Sequence, residues 1–314
     1  MNPFRNRDII DITEFSREDI EWLFKIADHI IENETRFWGA LHGKILAYAF
    51  FEPSTRTRLS FESAMKRLGG STIGFARVAE TSVKKGEKFV DTLRMLDTYS
   101  DVIVVRHPLE GAAKLAAEVC EHPVINGGDG KFQHPTQTML DLYTIYREFG
   151  NIDGLTIGVL GDLRYARATN SLLMGLCLFN PRKIYLISPD ILKPREMIIE
   201  YLKACNMCFE MLDNMMDVIE YLDILYVVRI QKERFPDPSE YERIKGSYRV
   251  TLEMLRDAKD TLKIMHPLPK LDEIDFRIDK TKYALYFKQA RYGLYIRMAL
   301  LLSVFLDDPL GIVE

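Results

Sequence analysis

Ser54, Thr55, Arg56, Thr57 and Arg58 bring three hydroxyls and two guanidinium groups together within five residues. An apolar run, Ile45 to Phe51, precedes them and reads as a buried strand. Phe61, Ala64, Met65 and Leu68 follow at helical spacing, and Gly69-Gly70 supplies a stop. The cluster therefore falls where a strand hands over to a helix N-terminus. Free backbone N–H groups and the helix dipole favour an anion there. The stretch is read either as a phosphate-sized socket or as a helix cap with a solvated basic turn.

Further polar residues follow other expected strands: Arg106-His107-Pro108, Asn126 through Gln137, Gly161 to Arg167, Arg229-Ile230-Gln231 and His266-Pro267-Leu268-Pro269. In open parallel sheets, ligands bind beyond the carboxyl ends of the strands. Four of these six strand ends offer an arginine, whose planar fork binds phosphate or carboxylate bidentately. Arg56 and Arg106 would face one anion, Arg167 and Arg229 another. His134 opens a helix, where the dipole favours a neutral imidazole able to polarise a carbonyl oxygen. Read alone, it serves equally well as a capping residue. His29, His42, His107 and His122 read as structural or surface residues.

The sequence has no H-E-x-x-H, no G-x-S-x-G, no Walker A loop and no paired carboxylates at catalytic spacing. Cys205 and Cys208 form a lone C-x-x-C, short of the four ligands of a structural zinc. With Cys120 and Cys177 they read as reduced thiols. What remains is a site for two anionic substrates that stabilises charge in a transition state.

The elements that must position these residues alternate regularly. Ser16 and Asp19 suggest a capped helix to Ile31. Strands are expected at 45–51, 71–76, 101–105 and 123–126, with helices following Ser54 and at 88–99 and 110–120. A second series has strands at 155–161, 183–188, 223–228 and 262–265, with helices from 168 and at 194–205. Helix 134–146 lies between the two series, and a long apolar helix, 289–306, closes the chain. This order predicts two doubly wound α/β domains with parallel sheets. The first spans 1–134, with bridging helix 135–149 and a C-terminal helix, about 290–314, returning to it; the second spans 150–289.

The chain has 314 residues, 47% of them apolar and 28% charged, and a net charge of −4. No global basic field points to nucleic acid or an anionic membrane. The largely apolar stretch Met298 to Leu306, broken by Ser303, is far short of the ~20 residues of a membrane span. With no hydrophobic signal region near Met1, a cytoplasmic location is expected.

Taken together, Ser54-Thr55-Arg56-Thr57-Arg58, Arg106-His107-Pro108, His134-Pro135-Thr136-Gln137, Arg229-Ile230-Gln231 and His266-Pro267-Leu268-Pro269 resemble the aspartate/ornithine carbamoyltransferases over nearly the whole chain. The aspartate branch is the closer match. The ornithine branch has a cysteine where Pro267 stands, and Arg229 through Arg234 offers cations suited to a dicarboxylic acid.

The resemblance implies carbamoyl transfer from carbamoyl phosphate to the α-amino group of L-aspartate, a step of pyrimidine biosynthesis, with no metal or organic cofactor. An ornithine or other amine acceptor is the alternative. It implies that Ser54, Thr55, Arg56 and Thr57, helped by Arg106, hold the phosphate. Thr57, Arg106 and His134 would hold the carbonyl oxygen. Gln137 and the carbonyls of Pro267 and Leu268 would orient the carbamoyl amine. Arg167, Arg229 and Gln231, with Lys85 and Leu268, would bind aspartate. Ser82 and Lys85 would come from a neighbouring chain of a homotrimer with shared active sites. Glu52 and Arg234, with Arg167, would fix the closed arrangement of the domains. A regulatory chain in a larger assembly is compatible with this reading. The sequence departs from the family pattern at Ala168, where a threonine is usual, at Lys131-Phe132, and at Lys270, where arginine is usual.

Overall fold

The computed structural model describes residues 2–77, 81, 85–230, 239, 242, 244 and 248–311. The chain divides into two compact units: Met1–Tyr143 with Arg291–Glu314, and Thr144–Ala290.

The first unit starts with α1 (Arg17–Glu32), whose Ser16 and Asp19 form the reciprocal capping box the sequence suggests. Then come β1 (Ile45–Phe50), α2 (Thr55–Arg67), β2 (Ser71–Phe75), α3 (Phe89–Thr98), β3 (Val102–His107), α4 (Ala112–Val119) and β4 (Val124–Asp129). All pairings in its sheet are parallel, in the order β2-β1-β3-β4. Val102 to Val105 are all buried, as both faces of a covered parallel strand require. Ala47, Ala49, Ile103 and Val105 pack with Leu93 of α3 and with Ala113 and Ala116 of α4.

β4 runs three residues beyond the expected Asn126, and its edge is not bare. Ile9 pairs with Ile125, through Ile9 N–H to the Val124 carbonyl (2.8 Å) and Asn126 N–H to the Ile9 carbonyl (2.8 Å). This cover protects an edge that would otherwise present unpaired backbone groups.

The chain continues through α5 (Pro135–Phe149) into the second unit. There β5 (Thr156–Gly161), α6 (Arg167–Leu176), β6 (Lys183–Ile187), α7 (Glu196–Ala204), β7 (Phe209–Leu212), β8 (Ile224–Val228) and β9 (Lys263–Met265) form a parallel sheet in the order β7-β6-β5-β8-β9. The core joins Leu160, Ile187, Leu225, Val227 and Ile264 to Leu255, Ile274 and Ile278 of the loops and short helices. β7 is absent from the sequence reading because it is a four-residue edge strand with no buried residue, so it carries no apolar run.

The last helix, α8 (Tyr286–Phe305), starts three residues earlier than expected. From Arg291 onward it belongs to the first unit. There Arg297 donates from Nη1 to Ser60 Oγ (2.9 Å), and its guanidinium lies 5.1 Å from the centre of the Phe61 ring, which ties α8 to α2. No described helix is long and apolar enough to cross a membrane.

Candidate active site

In the first unit the chain proceeds from β1 to β2 on one side and from β3 to β4 on the other. The strand order therefore reverses between β1 and β3. Their carboxyl ends flank the crevice where open α/β sheets take ligands. β1 ends at Phe50, and α2 starts five residues later with Ser54 at its N-cap. Ser54 does not bond the helix end with its side chain. Its hydroxyl and the first α2 N–H groups all belong to a thirteen-residue helix able to attract an anion. Thr55 and Arg56 are exposed there, whereas Thr57 is buried.

Arg106 pairs with Phe50 in the sheet and stands on the other side of the reversal. Nη1 donates to the Gly127 carbonyl (2.9 Å), and Nη2 meets Glu52 Oε1 at 2.8 Å. Its guanidinium is thus held by β4 and by the loop after β1. His107, next in the chain, is a packing residue. Its ring lies 5.0 Å from Phe51 and 4.8 Å from Phe89, and burial holds its pKa below the ordinary imidazole value.

His134 precedes Pro135, the first residue of α5, and is buried. Its Nε2 lies 3.5 Å from Thr57 Oγ1. The loop leading to it is fixed by buried Asn126 and Asp129. Asn126 Nδ2 donates to Asp129 Oδ1 (3.0 Å), whose Oδ2 accepts from Gly111 N (2.8 Å). Gln137, one turn into α5, donates from Nε2 to buried Asp141 (2.9 Å). A hydroxyl, an imidazole and a nearby α2 N-terminus suit a polarised carbonyl beside a phosphate.

The second unit repeats the plan. Its order reverses between β5 and β8. Gly161 ends β5 opposite Val228 with φ +117°, and a Cβ there would come within 2.1 Å of the Val228 carbonyl oxygen, so glycine keeps the two strands close. Asp162 Oδ1 accepts from the N–H groups of Arg164 (3.1 Å) and Tyr165 (2.7 Å), a tight polar turn leading into α6. Arg167 is the first residue of α6 and is buried. Ala168 follows it, also buried. Arg229 comes directly after β8 and is half-buried.

His266 to Pro269 follow β9. Leu268 has φ +58°, and its N–H donates to His266 Nδ1 at 2.7 Å. Lys270 is anchored by Asp279 at 3.0 Å, so this departure from the family pattern holds the loop by an ion pair.

The first unit thus gathers Ser54, Thr55, Arg56, Thr57, Arg106, His134 and Gln137 around one strand reversal. The second unit places Arg167 and Arg229 at another, with Pro267 and Leu268 one strand farther on. Lys85 is exposed. Ser82, Gln231 and Arg234 lie outside the described residues. Asp141, Glu273 and Gln289, which anchor Gln137 and His266, did not emerge from the sequence reading. Spacing alone gave no signal for them, since an acid or amide on a helix or loop is ordinary until its partner is known.

No group of three or more His, Cys, Asp or Glu side chains among the described residues could hold a metal ion. The four cysteines are free thiols.

Two family models match the chain. The carbamoyl-P binding domain of aspartate/ornithine carbamoyltransferase matches residues 7–147, and the Asp/Orn binding domain matches residues 153–304. A chain of Thermofilum pendens named aspartate carbamoyltransferase catalytic subunit is 58% identical over 96% of this chain and 95% of its own length. The catalytic subunit of M. jannaschii aspartate transcarbamoylase has 49% identity and a TM-score of 0.86, covering 94% of this chain and 96% of that one. The Trypanosoma cruzi aspartate transcarbamoylase in complex with carbamoyl phosphate and aspartate has 36% identity and a TM-score of 0.93, covering 97% and 98%.

Proposed function

The chain belongs to the aspartate/ornithine carbamoyltransferase family, and from that premise we propose how its residues carry the reaction. It transfers the carbamoyl group of carbamoyl phosphate to the α-amino group of L-aspartate, giving N-carbamoyl-L-aspartate and phosphate. The observation that carries the assignment of roles is the approach of Thr57 Oγ1 to His134 Nε2 beside the α2 N-terminus.

The phosphate of carbamoyl phosphate sits on the N–H groups of α2 with the Ser54, Thr55 and Thr57 hydroxyls and the Arg56 and Arg106 guanidinium groups. Each of these favours negative charge. Thr57, Arg106 and His134 take the carbonyl oxygen. Gln137 and the carbonyls of Pro267 and Leu268 accept the amide N–H groups or orient them. Arg167 and Arg229, with Gln231, bind the two carboxylates of aspartate, and Lys85 adds a further cation.

The uncharged α-amino nitrogen then attacks the carbamoyl carbon. Its lone pair forms the C–N bond, and the carbonyl electrons move to oxygen. The tetrahedral oxyanion is stabilised by donors already in place, which is the largest source of acceleration in such reactions. Its collapse breaks the C–O bond to phosphate, whose departing oxygen keeps the bond electrons and takes the proton from the amine nitrogen, so that hydrogen phosphate leaves.

The site is shared between chains of a homotrimer. Ser82 and Lys85 of one chain complete the site of its neighbour, a role suited to the exposed Lys85. Glu52 and Arg234 hold the two domains in their closed arrangement. The enzyme works in the cytoplasm.

Labelled carbamoyl phosphate offered with aspartate and with ornithine in separate reactions tests the acceptor. Product forms with aspartate; product from ornithine alone would overturn the reading. Mixing Lys85→Ala chains with His134→Ala chains tests the sharing. Reassociated hybrids regain activity that neither variant has alone, and a mixture as inactive as its parents would refute the shared site.

A further inference from the structure

The loop after β9 contains a bulky residue in a conformation that such residues rarely adopt. Leu268 has φ +58°. A branched side chain remains there only when its surroundings over-determine it, and such residues cluster at functional sites. Two interactions provide the restraint. The Leu268 N–H donates to His266 Nδ1 at 2.7 Å, so Nδ1 must be bare and the neutral ring carries its proton on Nε2. Nε2 lies 2.8 Å from Glu273 Oε1 and donates to it. Burial alone would raise the pKa of Glu273, but the His266 bond and backbone donors outweigh it and hold the carboxyl below its ordinary value.

The same carboxylate accepts the Leu271 N–H at 3.1 Å. The His266 N–H goes to Oε1 of buried Gln289 at 2.9 Å. Pro267 and Pro269 have no N–H to give. The backbone donors of residues 266, 268 and 271 are therefore all committed within the protein. Between His266 and Pro269 the chain therefore offers a ligand carbonyl oxygen, which suits an amide –NH2 and repels a phosphate oxygen.

We infer that His266 is a positioning residue: fixed in one tautomer by Glu273, it holds Leu268 in the left-handed conformation that presents the Pro267 and Leu268 carbonyls to the carbamoyl amide. The inference rests on the assignment of that loop to the carbamoyl amine. It adds that the selection of an amide donor at this point depends on two side chains that need not touch substrate.

The test separates the two ends of the imidazole. His266→Asn keeps an acceptor at the δ position, where it can take the Leu268 N–H as Asn does in local turns. His266→Gln places its amide at the ε position, within reach of Glu273, and leaves the Leu268 N–H without its acceptor. Turnover, carbamoyl phosphate affinity and inorganic phosphate affinity are measured for both, together with melting temperature.

His266→Asn stays within about tenfold of the parent in kcat. His266→Gln loses roughly 100-fold, the scale of a misplaced reacting group. Its affinity for carbamoyl phosphate falls while that for inorganic phosphate is unchanged, because phosphate makes no use of the amide loop. Equal losses in the two variants that follow their melting temperatures, or equal weakening of phosphate and carbamoyl phosphate, would overturn the inference. If neither His266 variant folds, Glu273→Gln and Glu273→Leu decide. The Gln form keeps an acceptor for Nε2–H and stays near parental kcat, whereas the Leu form falls; equal kcat in these two also refutes it. The parent enzyme is the control. If it forms no carbamoyl-aspartate, the functional reading itself fails; if it does, the variants judge His266 alone.

Discussion

Thr57 and His134 are 77 positions apart in the sequence, and Thr57 Oγ1 lies 3.5 Å from Nε2 of the imidazole, with both residues buried. One stands in the first turn of α2 and the other immediately before α5. Two buried polar groups this close can both act on one carbonyl oxygen, as the proposed mechanism requires. Thr57→Val and His134→Ala are each expected to lower kcat on the order of 100-fold or more, the usual scale for one oxyanion donor. The double variant loses less than the product of the two, because the donors act on one oxygen. Steady-state kinetics checks this, and near-parental turnover in either single variant would remove it from the site.

Arg106 meets Glu52 at 2.8 Å while also bonding the Gly127 carbonyl. A carboxylate next to the proposed phosphate socket repels the anion that the arginine attracts. Glu52→Gln keeps a hydrogen-bond acceptor for Arg106 but removes the charge. Inorganic phosphate is therefore expected to bind roughly tenfold more tightly, a change that removal of one nearby like charge readily supplies. Turnover falls in the same variant if Glu52 also closes the domains as proposed. Calorimetry with phosphate and a kinetic assay separate the two effects. Unchanged phosphate affinity would show that Glu52 does not compete for Arg106.

Arg167 opens α6 and Arg229 follows β8, both beyond the carboxyl ends of the two strands where the second sheet reverses. Planar forks there match two carboxylates. Arg167→Lys retains the charge and loses the fork, so it is not conservative. The expected result is an aspartate KM raised by about tenfold or more, with carbamoyl phosphate binding unaltered. Arg229→Ala behaves likewise. A loss of carbamoyl phosphate affinity equal to that for aspartate would contradict the division of labour between the domains.

The start of β1 is tied to the start of β3 by Asp101, which accepts from Lys44 Nζ (2.9 Å) and from the Ile45 N–H (2.8 Å). Burial raises the pKa of this carboxyl, but the two donors and the Lys44 charge prevail, leaving it below the ordinary 3.8. A depressed folded-state pKa gives stability that is fully present above the unfolded value and is lost as pH falls through the folded one. Asp101→Asn should therefore lower the denaturation midpoint at neutral pH. The gap between variant and parent narrows as pH falls below roughly 4 and closes once the parental carboxyl is protonated in the folded protein. Urea titrations at several pH values check it, and a gap constant down to pH 2 would exclude the charge as its source.

Much of this architecture was legible in the sequence. The run from Ile45 to Phe51 announced β1, and the hydroxyl and arginine cluster after it announced the mouth of the sheet. The regular alternation predicted parallel strands, and the rule of ligand sites at their carboxyl ends collected Arg106, His134, Arg167 and Arg229. The missing parts share a physical cause. β7 has half-exposed residues and so no apolar signature. The pairing of Ile9 with β4 joins residues more than a hundred positions apart. Glu273, Gln289 and Asp141 act through partners that only folding brings near, and nothing about an isolated Glu, Gln or Asp announces a partner. The supports of a site are harder to read than the residues that touch substrate, because their chemistry is ordinary and their placement is everything.

The central claim is that a new bond joins the carbamoyl carbon to the α-nitrogen of aspartate. Carbamoyl phosphate labelled with ¹³C, incubated with ¹⁵N-aspartate and the enzyme, tests it in one NMR spectrum. The account predicts a ¹³C signal split by direct coupling to ¹⁵N, growing in step with released phosphate. Phosphate release without that coupling, with the ¹³C found only in breakdown products of carbamoyl phosphate, would contradict it.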